Sequence, residues 1–107
     1  MQRRSFIKII TATAAALVLP KLAYAGTTHQ VTIEGFKFNP EVLAVEVGDT
    51  VVFTNNDGAP HTATANDRSW ATATLRKGQS AEVSIVAGME GGYFCSIHTN
   101  MKGELSF

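Results

Sequence analysis

The 107-residue sequence has a single cysteine, Cys95, and so cannot close an internal disulfide. In an exported protein such a thiol needs either burial or a metal, because an exposed one is open to oxidation or intermolecular pairing. Histidine is almost as scarce, with only His29, His61 and His98. The longest apolar run, Ile9 to Leu19, falls well short of the ~20 residues a membrane-spanning helix needs. Basic residues are thin beyond residue 25. There Lys37, Arg68, Arg76, Lys77 and Lys102 stand against nine acidic residues, a formal charge of −4. That balance disfavours nucleic acid, whose phosphates call for a basic footprint, and is compatible with a basic partner surface. No convincing amphipathic helix is present.

What the first 25 residues do contain is a leader. Arg3-Arg4-Ser5-Phe6-Ile7-Lys8 sets twin arginines before the apolar run, and Ala23-Tyr24-Ala25 is the small-x-small pattern of a signal-peptidase site. The arginine pair resembles a twin-arginine export signal, the route of bacterial proteins exported folded. The expectation is a signal peptide over residues 1–25, cleavage after Ala25, a single domain over residues 26–107 and a periplasmic location with no stable membrane insertion. His29 then lies close to the new N-terminus and reads as a frayed-terminus residue.

From Gly26 onward the apolar residues recur at every second position: Val31 and Ile33, Phe36 and Phe38, Val45 and Val47, Val51 and Phe53, Val83 and Ile85. This is the period of a strand with one buried face. Breakers separate the runs at Asn39-Pro40, Gly48-Asp49, Asn55-Asn56-Asp57-Gly58, Lys77-Gly78 and Gly91-Gly92. The pattern predicts an all-β sandwich. Gly48-Asp49 reads as a hairpin turn between a strand ending at Val47 and one running from Thr50 to Thr54 or Asn55. Further strands are expected over Ala81–Val86, Tyr93–Cys95 and Glu104–Phe107. Trp70 reads as a core plug or a sandwich-edge aromatic, and Leu75 to Gln79 as a solvated basic turn.

Chemistry concentrates in Tyr93-Phe94-Cys95-Ser96-Ile97-His98-Thr99-Asn100-Met101. Seven of these residues, Cys95 to Met101, hold a thiolate, an imidazole and a thioether, and a second imidazole waits at His61 behind Pro60. A lone cysteine is by itself more often a small buried hydrophobe, but His98 and Met101 beside it reverse that preference. His61, Cys95 and His98 with a weak axial Met101 suit copper in both oxidation states. Zinc would more often recruit a second cysteine or a carboxylate. Pro60 stiffens the loop that aims His61. On the Tyr93–Cys95 strand, Tyr93 and Cys95 point to one face and Phe94 to the other. A cysteine nucleophile with His61 or His98 as base would leave Met101 without a role.

Cys95-x-x-His98-x-x-Met101, with Gly48-Asp49-Thr50-Val51-Val52-Phe53-Thr54-Asn55 and Pro60-His61 upstream, resembles the cupredoxin family of blue-copper proteins, and the two-residue gap between His98 and Met101 resembles its amicyanin branch. The resemblance spans about Val31 to Phe107. It implies a cupredoxin-like Greek-key β-sandwich of about seven or eight strands. It also implies one type 1 copper ion per chain, held by His61, Cys95, His98 and Met101, and a monomeric electron carrier rather than an enzyme. By the same resemblance, His98 is the residue through which electrons pass, with Ala59, Pro60 and Thr99 around it. The partners implied are a c-type cytochrome and a quinoprotein dehydrogenase. The alternative is a copper carrier or storage protein. Exchangeable delivery sites often use several Met or His, and Met89 is the only other methionine after the leader. Two departures from the family pattern stand out: Thr62 follows the first histidine where many relatives have Asn, and Ile97 stands where many have Pro. The Thr62 N–H is expected to donate to the Cys95 sulfur while its hydroxyl braces the loop, and Ile97 has an N–H that could point at the same sulfur.

Overall fold

The computed structural model describes residues 26–107, and the leader expected over residues 1–25 lies outside them. The described chain forms eight strands: β1 Thr28–Ile33, β2 Phe38–Asn39, β3 Val42–Ala44, β4 Thr50–Asn55, β5 Thr64–Ala65, β6 Ser80–Ser84, β7 Gly92–Phe94 and β8 Lys102–Ser106. They build two four-stranded sheets in the orders β2-β1-β4-β6 and β3-β8-β7-β5. In the first sheet β1 runs parallel to β4, and β6 closes antiparallel on the other side of β4. In the second, β3 runs parallel to β8, while β7 pairs antiparallel with both β8 and β5. From β2 to β7 every connection crosses from one sheet to the other, which is the sandwich expected from the alternation.

β4 shows why the sheets close on one another. Val51, Phe53 and Asn55 are buried and the intervening residues are half-exposed, the period-2 signature of a strand with one face on a core. Val31 and Ile33 of β1 bury the same face, in register with Phe53 and Asn55. Between the sheets Phe38 and Phe53 meet Tyr93 edge to face, and Trp70 meets it at a tilt of 51°. Phe38 and Phe53 lie 4.7 and 5.4 Å from the Tyr93 ring, and Trp70 lies 5.9 Å from it. Such pairs add about 0.5–1.5 kcal/mol each beyond the area they bury. The backbone of Gly103 presses against the Tyr93 ring, and a Cβ there would overlap its hydroxyl end. The Tyr93 hydroxyl is buried without a hydrogen-bond partner, and burial pushes its pKa above the ordinary tyrosine value.

Several sequence expectations change. Gly48-Asp49 does not make a hairpin, because β3 and β4 belong to different sheets. The turn, closed by the Asp49 N–H on the Glu46 carbonyl, carries the chain across the sandwich and leaves Val47 61% exposed. Phe36 does not continue the buried phase of Phe38. It sits at the tip of the β1–β2 hairpin and is 50% exposed. His29 is not frayed. It pairs with Val51 inside β1, and its Nε2 lies 2.8 Å from Asp49 Oδ2. Leu75 is buried rather than part of a solvated turn. Trp70 is a half-buried edge aromatic whose indole N–H donates to the Glu90 carbonyl at 2.8 Å.

Candidate metal centre

Asn55 ends β4 and shapes the loop that follows. Fully buried, its side-chain amide donates to the carbonyls of Ala59 and Leu75 at 2.9 and 2.7 Å and accepts the Asp57 N–H at 2.8 Å. The loop is thereby folded back on itself, and Pro60 leads into His61 with its backbone dihedral already restricted. The His61 N–H donates to the Leu75 carbonyl at 3.0 Å and its carbonyl accepts the Leu75 N–H at 2.8 Å, so the backbone is pinned on both sides. The imidazole is completely buried. Its Nε2 lies 2.8 Å from Asp57 Oδ2, which leaves Nδ1 facing inward. Burial works against the Asp57 carboxylate, but the N–H groups of Phe36 and Gly35 and the His61 ring together hold its pKa below the ordinary value.

The second loop closes on itself between β7 and β8. The Cys95 N–H donates to the Met101 carbonyl at 3.0 Å, the Met101 N–H to the His98 carbonyl at 2.9 Å, and the His98 N–H to Cys95 Sγ at 3.4 Å. Cys95 and Met101 are buried and His98 is half-buried. Tyr93 in β7 and Cys95, one residue beyond its end rather than inside the strand as expected, are both buried. Phe94, on the other face of β7, lies under the Arg68 guanidinium, 5.3 Å from the ring centre. Thr62 behaves as expected. Its N–H donates to Cys95 Sγ at 3.4 Å, and its hydroxyl accepts the Ser96 N–H at 3.0 Å, tying the two loops together. Ile97 does not behave as expected: the nearby N–H that reaches the sulfur belongs to His98.

The two loops bring His61, Cys95 and His98 together, with one donor atom of each within 4.8 Å of the others. The two Nδ1 atoms are 3.2 Å apart and each is 3.8 Å from Cys95 Sγ. A point about 2.1 Å from all three corners lies at the centre of that triangle. Metal–imidazole and metal–thiolate bonds of tetrahedral sites span about 2.0–2.3 Å, so the triangle has the size a bound ion needs. With Met101 buried beside His98, the four residues form a type 1 copper site pattern. Around them Ala59 and Pro60 are half-buried and Thr99 is exposed.

Sequence reasoning missed the supporting residues Asn55, Asp57, Phe36 and Leu75. In the sequence Asp57 reads only as part of a breaker, Asn55 as a breaker or strand end, and Phe36 as part of a buried alternation. An acid four residues before His61 was a signal that could have been weighed.

Comparison with protein families matches residues 7–106 to the Cupredoxin-like domain. The chain belongs to the cupredoxin family. It is 29% identical over 106 residues to the chloroplastic plastocyanin of Chlamydomonas reinhardtii, covering 85% of this chain and 73% of that one. Among solved structures it is similar to a reduced amicyanin variant, with a TM-score of 0.64 at 26% identity over 74% of this chain and 80% of that one. A purple cupredoxin from Nitrosopumilus maritimus gives a TM-score of 0.65 at 26% identity, covering 73% of this chain and 97% of that one. A copper-containing nitrite reductase from Thermus scotoductus gives 0.63 at 30% identity, over 73% of this chain but only 21% of the enzyme. Cupredoxins bind copper, and the plastocyanin- and amicyanin-like members are electron carriers, whereas some proteins with this fold are enzymes.

Proposed function

We propose that this protein is a periplasmic electron carrier that cycles one type 1 copper between Cu(I) and Cu(II), with His61, Cys95, His98 and Met101 as its ligands. The observation that carries the reading is the triangle of two Nδ1 atoms and one thiol sulfur, with edges of 3.2, 3.8 and 3.8 Å. Bound copper would supply the one-electron redox couple. The chain supplies a frame that is already in place. Leu75 pins His61, Thr62 joins the two ligand loops, and the Cys95–Met101 backbone bonds close the second loop. A frame that holds its donors in one geometry lets an electron move with little rearrangement. The N–H groups of Thr62 and His98 both point at the sulfur and temper its electron donation.

Enzymatic chemistry has little support. The chain lacks the further histidines of a multicopper oxidase, and with four donors committed no position stays open for a substrate. The twin arginines and the Ala23-Tyr24-Ala25 site support export, and no helix among the described residues is long and apolar enough to cross a membrane. Half-buried His98 is the proposed port for electrons, exchanged by a monomer with a c-type cytochrome or a quinoprotein dehydrogenase.

The test is a visible spectrum of the processed domain after Cu(II) addition, followed by ascorbate. An intense blue or violet band that bleaches reversibly supports the reading. A pale product refutes Cys95 ligation of Cu(II) and favours copper carriage or storage.

A further inference from the structure

The β1–β2 turn is built around an unusual residue. Glu34 and Lys37 exchange backbone hydrogen bonds of 3.0 and 3.2 Å across the two-residue tip Gly35-Phe36, whose φ angles are 66° and 60°. Two consecutive positive φ values define the type I′ hairpin turn, which favours Gly or Asn at both positions. A bulky aromatic in that conformation is an outlier, and nothing in the turn itself calls for it. Strain of this kind, where it persists, points toward function.

The Phe36 ring shows what the strain achieves. It stands edge-on to both imidazoles, 5.1 Å from His61 at 88° and 4.9 Å from His98 at 80°. A groove of about 380 Å³, lined by Phe36, His98, Thr99, Asn100 and Met101, lies against the ring. One carboxylate fixes this arrangement. Asp57 Oδ1 accepts the Gly35 N–H at 2.8 Å, while Oδ2 accepts the Phe36 N–H at 2.9 Å and lies 2.8 Å from His61 Nε2. The same group therefore orients a ligand imidazole and the ring that covers it.

We propose that Phe36 is a gate over the metal centre, closing the groove side of the donor set to water and small anions, and that Asp57 is the residue that positions it. The second half of the test rests on the copper reading; the first half does not.

The first measurement is the rate at which an aromatic disulfide reagent (DTNB) modifies Cys95 in the metal-free protein. Cys95 has no exposed surface, so its reaction requires an opening. Phe36→Gly removes the ring and installs a residue the turn accepts, so the fold is retained. It should react about tenfold faster than the parent or more, with little dependence on low urea concentrations, because the opening is local. Phe36→Tyr, which keeps the ring, should react at the parent rate, and Asp57→Asn should fall between. Parent-like reactivity of Phe36→Gly overturns the gate. So does extra reactivity that carries the full urea dependence of global unfolding.

The second measurement is azide titration of the Cu(II)-loaded proteins, read by visible and electron paramagnetic resonance spectra. Azide should perturb Phe36→Gly and leave the parent unchanged, and an unperturbed Phe36→Gly counts against the gate. If none of the proteins takes up Cu(II), the copper reading fails while the thiol rates still decide the gate.

Discussion

Replacing Asn55 by alanine tests the claim that a buried amide, rather than the strand alone, shapes the His61 loop. The side chain makes three hydrogen bonds, to the Ala59 and Leu75 carbonyls and from the Asp57 N–H. Each is worth about 1 kcal/mol net, and a buried partner left unpaired costs about 1–3 kcal/mol more. Leu75 keeps its bond from the His61 N–H, and the Asp57 and Ala59 groups are half-exposed and can recruit water. The expected loss is therefore about 3–4 kcal/mol, a large share of the ~4–12 kcal/mol usual for a domain of this size. Urea unfolding of the metal-free domain should show a midpoint lower by about 3–4 M, taking a slope of ~1 kcal/mol per M. Asn56→Ala, one residue along and exposed, should change stability by no more than ~0.5 kcal/mol. Copper affinity of Asn55→Ala should also fall by about 10–100-fold, because the residue orients a ligand without being one. A loss below ~1 kcal/mol would refute the reasoning, as it would mean that Pro60 and the Leu75 backbone hold the loop unaided.

Further predictions address other parts of the molecule. Asp49 accepts hydrogen bonds from His29 and from the Thr27 and Glu46 N–H groups, which bring its pKa from 3.8 down to about 2. A depressed carboxylate stabilises the fold above the ordinary pKa, and that contribution is lost as pH falls through the folded value. Asp49→Asn should lower the melting temperature at pH 7, and the gap from the parent should narrow as pH drops from 3.8 towards 2. Gly103→Ala drives a methyl group into Tyr93 and should destabilise by about 1–3 kcal/mol in urea unfolding, with no gain in thiol reactivity at zero denaturant beyond that loss. Ile97→Pro removes an N–H that does not reach Cys95 Sγ and leaves the His98 N–H in place. Voltammetry should then show a potential shift below about 59 mV, the one-electron equivalent of a tenfold change in equilibrium constant. Saturating copper at about 100 times its dissociation constant should add about 2.7 kcal/mol to the parent, read as a rise in melting temperature, and Cys95→Ser should lose most of it.

The sequence by itself determined the class of fold and the four residues of the copper-site pattern. His61, Cys95, His98 and Met101 are legible because metal chemistry demands particular atoms, and three of them sit within one short loop where spacing alone limits their separation. The buried faces of β1 and β4 are equally legible, since a strand facing a core must alternate along its own length. Period-2 alternation reports burial but not the sheet to which a strand belongs. For that reason Gly48-Asp49 looked like a hairpin when it is a crossing between sheets. Phe36 shows the same limit of local pattern. Its phase matches Phe38, but the turn breaks the strand between them, and its surroundings come from His61 and His98, far along the chain. Asp57 and Asn55 look like ordinary loop residues until the fold closes. Asp57 then meets the backbone of Gly35, 22 positions away, and Asn55 meets Leu75, 20 positions away. Local sequence carries the chemistry of the ligands, whereas their orientation depends on hydrogen bonds between segments that only the packed sandwich brings within reach.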